Sequence, residues 1–180
     1  PYDSEIVLIL RLGSTHTTCI FARGGAALFA STIDFGGDML QEALGKNLGV
    51  GAPEAKTLQF EGGLVATARN KKVFATLRDG VDVLVREVSR YIGFWNTHSV
   101  DGQSGESAQA RQRPVTRVYL CGGGANLGGL ATYLESALAL PVSVGNVWTN
   151  CFSFDEYIPS LSRSASLSYA ASVGLAMRAI

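Results

Sequence analysis

Three consecutive glycines, Gly122, Gly123 and Gly124, come just after a short strand pattern from Val115 to Leu120. They precede Ala125, Asn126 and an amphipathic segment that begins at Leu130. Glycine has no Cβ, so it reaches φ > 0 and lets a phosphate, a ribose or a base lie against the main chain. A helix start behind such a turn adds free N–H groups and a partial positive charge. The same residues also suit a tight strand-to-helix corner that packs and binds nothing. A second turn, Arg11-Leu12-Gly13-Ser14-Thr15-His16-Thr17, joins glycine to hydroxyls that can satisfy their own backbone.

Other chemistries find little support. The two histidines, His16 and His98, have no carboxylate or cysteine nearby in sequence to form an acid–base set. Cys19, Cys121 and Cys151 are odd in number and unlike in setting, so they read as thiols in a reducing compartment, without zinc spacing. Leu127 stands where a dinucleotide fingerprint needs its last glycine. Gly45-Lys46 lacks both the upstream glycine and the following hydroxyl of a P-loop. Lys plus Arg and Asp plus Glu both number 15, so no global field favours nucleic acid or an anionic membrane. No apolar run approaches the roughly 18 residues of a membrane span, and no signal-peptide pattern opens the chain. The core-like strand begins within a few residues of Pro1, which reads as a piece of a longer protein.

The elements that must position these turns follow from periodicity. Glu5 to Leu10 is a continuous apolar run, expected to be a strand buried on both faces. Thr18 to Ala22 and roughly Ala27 to Ile33 complete a meander, with Arg23-Gly24-Gly25 as its hairpin turn. Met39 to Leu48 is a helix that Asp38 can cap and Gly49 can end. Pro53 to about Glu61 is a second helix. Val73 to about Trp95 carries the strongest helical period, with Gly80 inside it as the mark of a close helix approach. Residues 98–113, rich in Ser, Gly, Gln and Arg, read as a mobile surface loop. A strand, a helix from Leu130 to Leu138 and a strand over Pro141 to Val144 follow. A last helix is expected to bury Leu167, Ala170, Ala171, Gly174, Leu175 and Met177. The result is an α/β chain, a mixed sheet flanked by helices.

Four stretches carry a resemblance: Leu12-Gly13-Ser14-Thr15-His16-Thr17, Phe35-Gly36-Gly37-Asp38-Met39-Leu40, Val118 through Leu130, and Ala170 through Arg178. In this order they resemble the second half of the actin-like, ribonuclease H-type fold. Within it they are similar to the PilM family of type IV pilus assembly and, more distantly, to FtsA. The resemblance implies a core over 1–35 and 73–180, with an inserted helical subdomain over 36–72 closing on a base. It implies that Gly13, Ser14 and Thr15 face the β- and γ-phosphates of ATP or ADP. Gly122, Gly123, Gly124 and Asn126 would lie along the adenosine and α-phosphate, and Gly36 and Gly37 near the ribose. Lys56 and Gln59 would take the place of the family's Glu-Xaa-Xaa-Lys pair. Implied partners are a PilN-type cytoplasmic tail, other pilus assembly proteins and the first half of the same fold. The implied location is the cytoplasm, at the inner face of the cytoplasmic membrane.

One departure bears on chemistry. The family begins its first turn with an aspartate that acts through water on the nucleotide's magnesium, and here that position is Arg11. A cation there opposes Mg²⁺ and implies weak or absent hydrolysis. Arg11 is then either a direct partner of phosphate or part of a fixed salt bridge. Asp34 and Asp38 are the nearest carboxylates that could substitute, with Asp34 read as a solvent-facing strand end. An active ATPase or small-molecule kinase of the same superfamily is the alternative.

Overall fold

The computed structural model describes residues 5–97, 113–153, 155 and 157–177. The expected loop over 98–113 therefore lies outside the described residues, Arg113 excepted, as does His98.

Strands β1 (Ile6–Leu12), β2 (Thr17–Arg23) and β3 (Ala26–Ile33) form the meander. The β2–β3 turn is the pair Gly24 and Gly25, both at positive φ (54° and 81°), which matches the twist of the flanking strands. Helices α1 (Gly37–Leu48), α2 (Ala52–Gly62) and α3 (Lys71–Thr97) follow, then β4 (Val115–Cys121) and a 3-10 turn over Gly123–Asn126. Helix α4 (Leu130–Leu138), β5 (Val142–Val144), α5 (Arg163–Ser166), a second 3-10 turn over Leu167–Tyr169 and α6 (Ala170–Met177) complete the order. The sheet runs β3-β2-β1-β4-β5, antiparallel across the meander and parallel from β1 through β4 to β5.

The two faces of the sheet differ. Ile6, Leu8, Leu10 and Leu12 are buried, whereas Val7, Ile9 and Arg11 are half-buried. The expectation of a strand buried equally on both faces is corrected to an alternating one. Helix α3 covers the buried face. Its Trp95 stacks on Phe21 at 4.9 Å, and Phe21 pairs with Leu8 in register. Leu40 and Leu44 of α1, Ala55 of α2 and Leu134 of α4 join the same core. On the opposite face Ile9 lies between Ile20 and Tyr119, beside Ala170 and Ala171.

Helix α6 does not bury the side expected of it. Leu167 is buried and Ala170 half-buried, but Ala171, Gly174, Leu175 and Met177 are exposed, Leu175 by 67%. Only its first residues, Ala170 and Ala171, border the sheet, in a groove with Ile9, Ile20 and Tyr119. Gly80 does mark a close approach: a Cβ there would lie 2.5 Å from Leu40 Cδ2.

Candidate functional site: a cleft between two glycine turns

Strands β1 and β4 run parallel, so their C-terminal ends deliver both glycine turns to one edge of the sheet. The Gly13 N–H donates to the His16 carbonyl at 3.0 Å and closes the first turn. The carbonyls of Gly13 and Ser14 then accept from the N–H groups of Gly37 and Asp38, at 3.0 and 2.8 Å. The first N–H groups of α1 are thus spent on the turn itself. Gly36 makes this possible, since a Cβ there would sit 2.2 Å from the Ser14 carbonyl oxygen. Gly36 is also the N-cap of α1, which has no side-chain cap. The expectation that Asp38 caps the helix is corrected: its exposed side chain lies in the first turn, where a carboxylate favours the helix dipole.

The second turn is held as tightly. Gly122 has φ 83°, donates to the Leu167 carbonyl at 2.9 Å, and leaves a Cβ only 2.4 Å from the Leu12 carbonyl oxygen. Gly124 approaches Leu12 Cβ, where an added Cβ would stand at 2.8 Å. Among the described residues no backbone hydrogen bond outside the helices and strands uses the N–H groups of Ser14, Gly123 or Gly124. Successive backbone N–H groups in a turn can form an anion-binding concavity.

A cleft of about 360 Å³ opens between these turns and α2. Gly13, Ser14, Gly37, Lys56, Gln59, Gly123 and Gly124 line it, together with Asp38, Gln41, Phe60 and Ser168. Seven of the eleven residues expected at the site therefore meet in one place. The other four do not line it. Gly36 borders an adjoining cavity of about 10 Å³, and Gly122 packs beneath the turn. Thr15 is exposed with its hydroxyl 2.9 Å from His16 Nδ1. Asn126 borders a separate, wider groove of about 810 Å³ and donates from Nδ2 to the Ser164 carbonyl at 2.9 Å.

Gln41, Phe60 and Ser168 were not anticipated. Phe60 lies four positions after Lys56, and Gln41 four after Gly37, so helical spacing was the available signal. Ser168 had no local signal. It arrives through the bond from Gly122 to Leu167, and its Oγ would be 3.3 Å from a Cβ on Gly123. Gln59 is 1% exposed, and its Oε1 has no hydrogen-bond partner. A buried, unpaired amide oxygen costs about 1–3 kcal/mol.

Arg11 sits elsewhere, in an apolar groove on the half-buried face with Ile9, Ile20, Tyr119 and Cys121. It makes no ion pair among the described residues. Burial raises the Cys121 thiol pKa, and the Arg11 charge opposes that rise. Asp38 is the one carboxylate lining the cleft, and no cluster of three metal-ligating side chains occurs among the described residues. A single carboxylate set against Lys56 and free N–H groups suits an anion better than a bare divalent cation.

The fold is that of actin-like proteins. The chain aligns with a chain of a PilM–PilN type IV pilus biogenesis complex at 19% identity and a TM-score of 0.77, covering 98% of this chain and 46% of that one. It aligns with the ethanolamine utilization protein EutJ of Carboxydothermus hydrogenoformans at 16% and 0.61, covering 97% and 48%. For MreB5 of Spiroplasma citri, bound to AMPPNP, the values are 13% and 0.65, covering 96% and 52%. The chain thus spans about half the length of these proteins. The family described as type IV pilus assembly protein PilM matches residues 2–180, and this chain belongs to it.

Proposed function

We propose that the chain is a nucleotide-binding half of an actin-like scaffold in type IV pilus assembly, and that it holds ATP or ADP without needing Mg²⁺. The observation that carries this reading is the cleft at the ends of β1 and β4, where two glycine turns present unclaimed N–H groups opposite Lys56. In this reading Gly13, Ser14, Gly123 and Gly124 cradle the phosphates through their backbone. Lys56 neutralises them, and α1 and α2 close over the base. The site supplies charge and shape, and Asp38 is the one carboxylate that lines it among the described residues. Its product is then a conformation, passed to partners such as a PilN-type cytoplasmic tail and the first half of the fold. No helix among the described residues is long and apolar enough to cross a membrane. In this reading those partners hold it at the inner face of the cytoplasmic membrane.

Titration calorimetry on the intact protein tests this. ATP and ADP should bind with affinities that change less than threefold between Mg²⁺ and EDTA. Lys56→Gln should weaken both by roughly tenfold, the loss of one charge-assisted contact. Binding that appears only with Mg²⁺, accompanied by phosphate release, would instead establish the ATPase or kinase alternative.

A further inference from the structure

The sheet has two edges, and they are finished differently. At one, β5 is three residues long and follows Pro141, two features that discourage a further strand. At the other, β3 runs for eight residues with neither a charged residue nor a proline among them. No strand among the described residues pairs with its outer side. Antiparallel pairing with β2 uses only every second N–H and carbonyl along β3, so the others point outward. Such a row is a template for one more strand. One protective device is present, and it is confined to one end. Phe21 pairs with Phe29 but Ala22 with Ala27, so Leu28 is the extra residue of a bulge. From Phe29 to Ile33 the register is unbroken.

The surroundings suit a contact. Leu28 and Phe94 are 37% and 43% exposed, and the Phe94 ring lies 6.3 Å from that of Phe29. Ala30 and Thr32 are exposed and small, so another backbone can approach. Charge favours one partner. Exposed Asp34 follows β3 at one end. Arg23 lies at the other, with only Ala26 between it and the edge. An identical strand laid antiparallel sets Arg23 of each copy toward Asp34 of the other, whereas a parallel one sets like against like. The chain carries no net charge, so no overall repulsion opposes a second copy.

We propose that β3 is a self-association edge. Two copies of this chain join by antiparallel β3–β3 pairing about a two-fold axis, which merges their sheets into one. The two-fold closes the contact on itself, so assembly stops at a dimer. The contact uses none of the cleft residues and does not depend on the nucleotide reading.

Sedimentation equilibrium on the intact protein tests this, with hydrogen exchange as the structural readout. The protein should show a monomer–dimer equilibrium in the micromolar range of a small interface. Amides between Phe29 and Ile33 that are open in the monomer should gain protection as concentration rises. Thr32→Lys sets a lysine on the edge of each copy and should weaken the dimer about tenfold or more. Arg23→Asp and Asp34→Arg should each weaken it several-fold. The double variant restores opposite charges and should recover most of that loss. If Thr32→Lys also unfolds the strand, the charge swap still decides, because both of its positions flank β3. A protein that stays monomeric at about 1 mM, far above a micromolar Kd, refutes the proposal and leaves the edge to an extended segment of another protein. A dimer that forms without protecting β3, or that ignores these variants, lies on a different face and refutes it equally. No recovery in the double variant would overturn the antiparallel two-fold arrangement.

Discussion

Gly36 and Gly122 show how a glycine can belong to a site without touching its ligand. Each is required because backbone from a neighbouring segment occupies the space of a side chain. Gly36→Ala would drive a methyl into the Ser14 carbonyl, and Gly122→Ala would add a left-handed φ to a clash with Leu12. Overpacking against backbone costs about 1–3 kcal/mol or more. Each variant should therefore lower the melting temperature by several degrees, read by thermal denaturation. Gly123→Ala meets only Ser168 Oγ at 3.3 Å and should leave stability within about 1 kcal/mol. The chemistry of these turns was legible in the sequence because strand, glycine and helix follow one another locally. The division of labour was not. Nothing in Phe35-Gly36-Gly37 shows that Ser14 fills the space beside Gly36, and nothing near Arg11 shows on which face of β1 it emerges.

Helix α3 gives the same contrast within one element. Gly80 faces Leu40, whereas a Cβ on Gly93 would meet nothing within 4 Å. Alanine gains about 1 kcal/mol over glycine in a helix interior. Gly93→Ala should realise that gain in urea denaturation, while Gly80→Ala should lose about 1 kcal/mol net as the buried Leu40 is displaced. The period of α3 was readable because its apolar stripe runs the length of the helix, and the structure extends it only to Lys71 and Thr97. The order β-β-β-α-α-α-β-α-β was readable for the same reason. The burial of α6 was not. Leu175 and Met177 have a helical pattern, but a pattern names a face and not the surface that covers it. Likewise the apolar run of β1 reads as two buried faces, although α3 covers only one of them.

The protein as a whole should be most fragile at alkaline pH. Burial lifts the Cys19 thiol from 9.0 to about 12. Burial, then the hydrogen bond to Asp82, lifts the Tyr133 phenol from 10.0 to about 12. Both groups hold their proton more tightly folded than unfolded, so stability falls as pH rises from about 9 to 12. The stabilisation tied to these protons is fully present below pH 9.0. Urea midpoints measured across this range should decline, and a Cys19→Val, Tyr133→Phe double variant should decline less steeply. An unchanged slope in that variant would remove both groups from the account.

The pairing of β1 with β4 has a kinetic consequence. Thr116 Oγ1 donates to the Ile6 carbonyl across 110 positions of chain, and the ladder beside it joins the two strands that carry the glycine turns. The β1–β2–β3 meander can close locally as soon as it is synthesised, while this ladder must wait for three helices to be laid down first. Long-range pairing is slow because closure entropy is lost before contacts repay it. In pulse-labelled refolding, amides of β2 and β3 should gain protection before those of β4. A nascent chain would thus hold a finished hairpin sheet with half a binding site, and ligand could not assist until the final ladder had zipped shut.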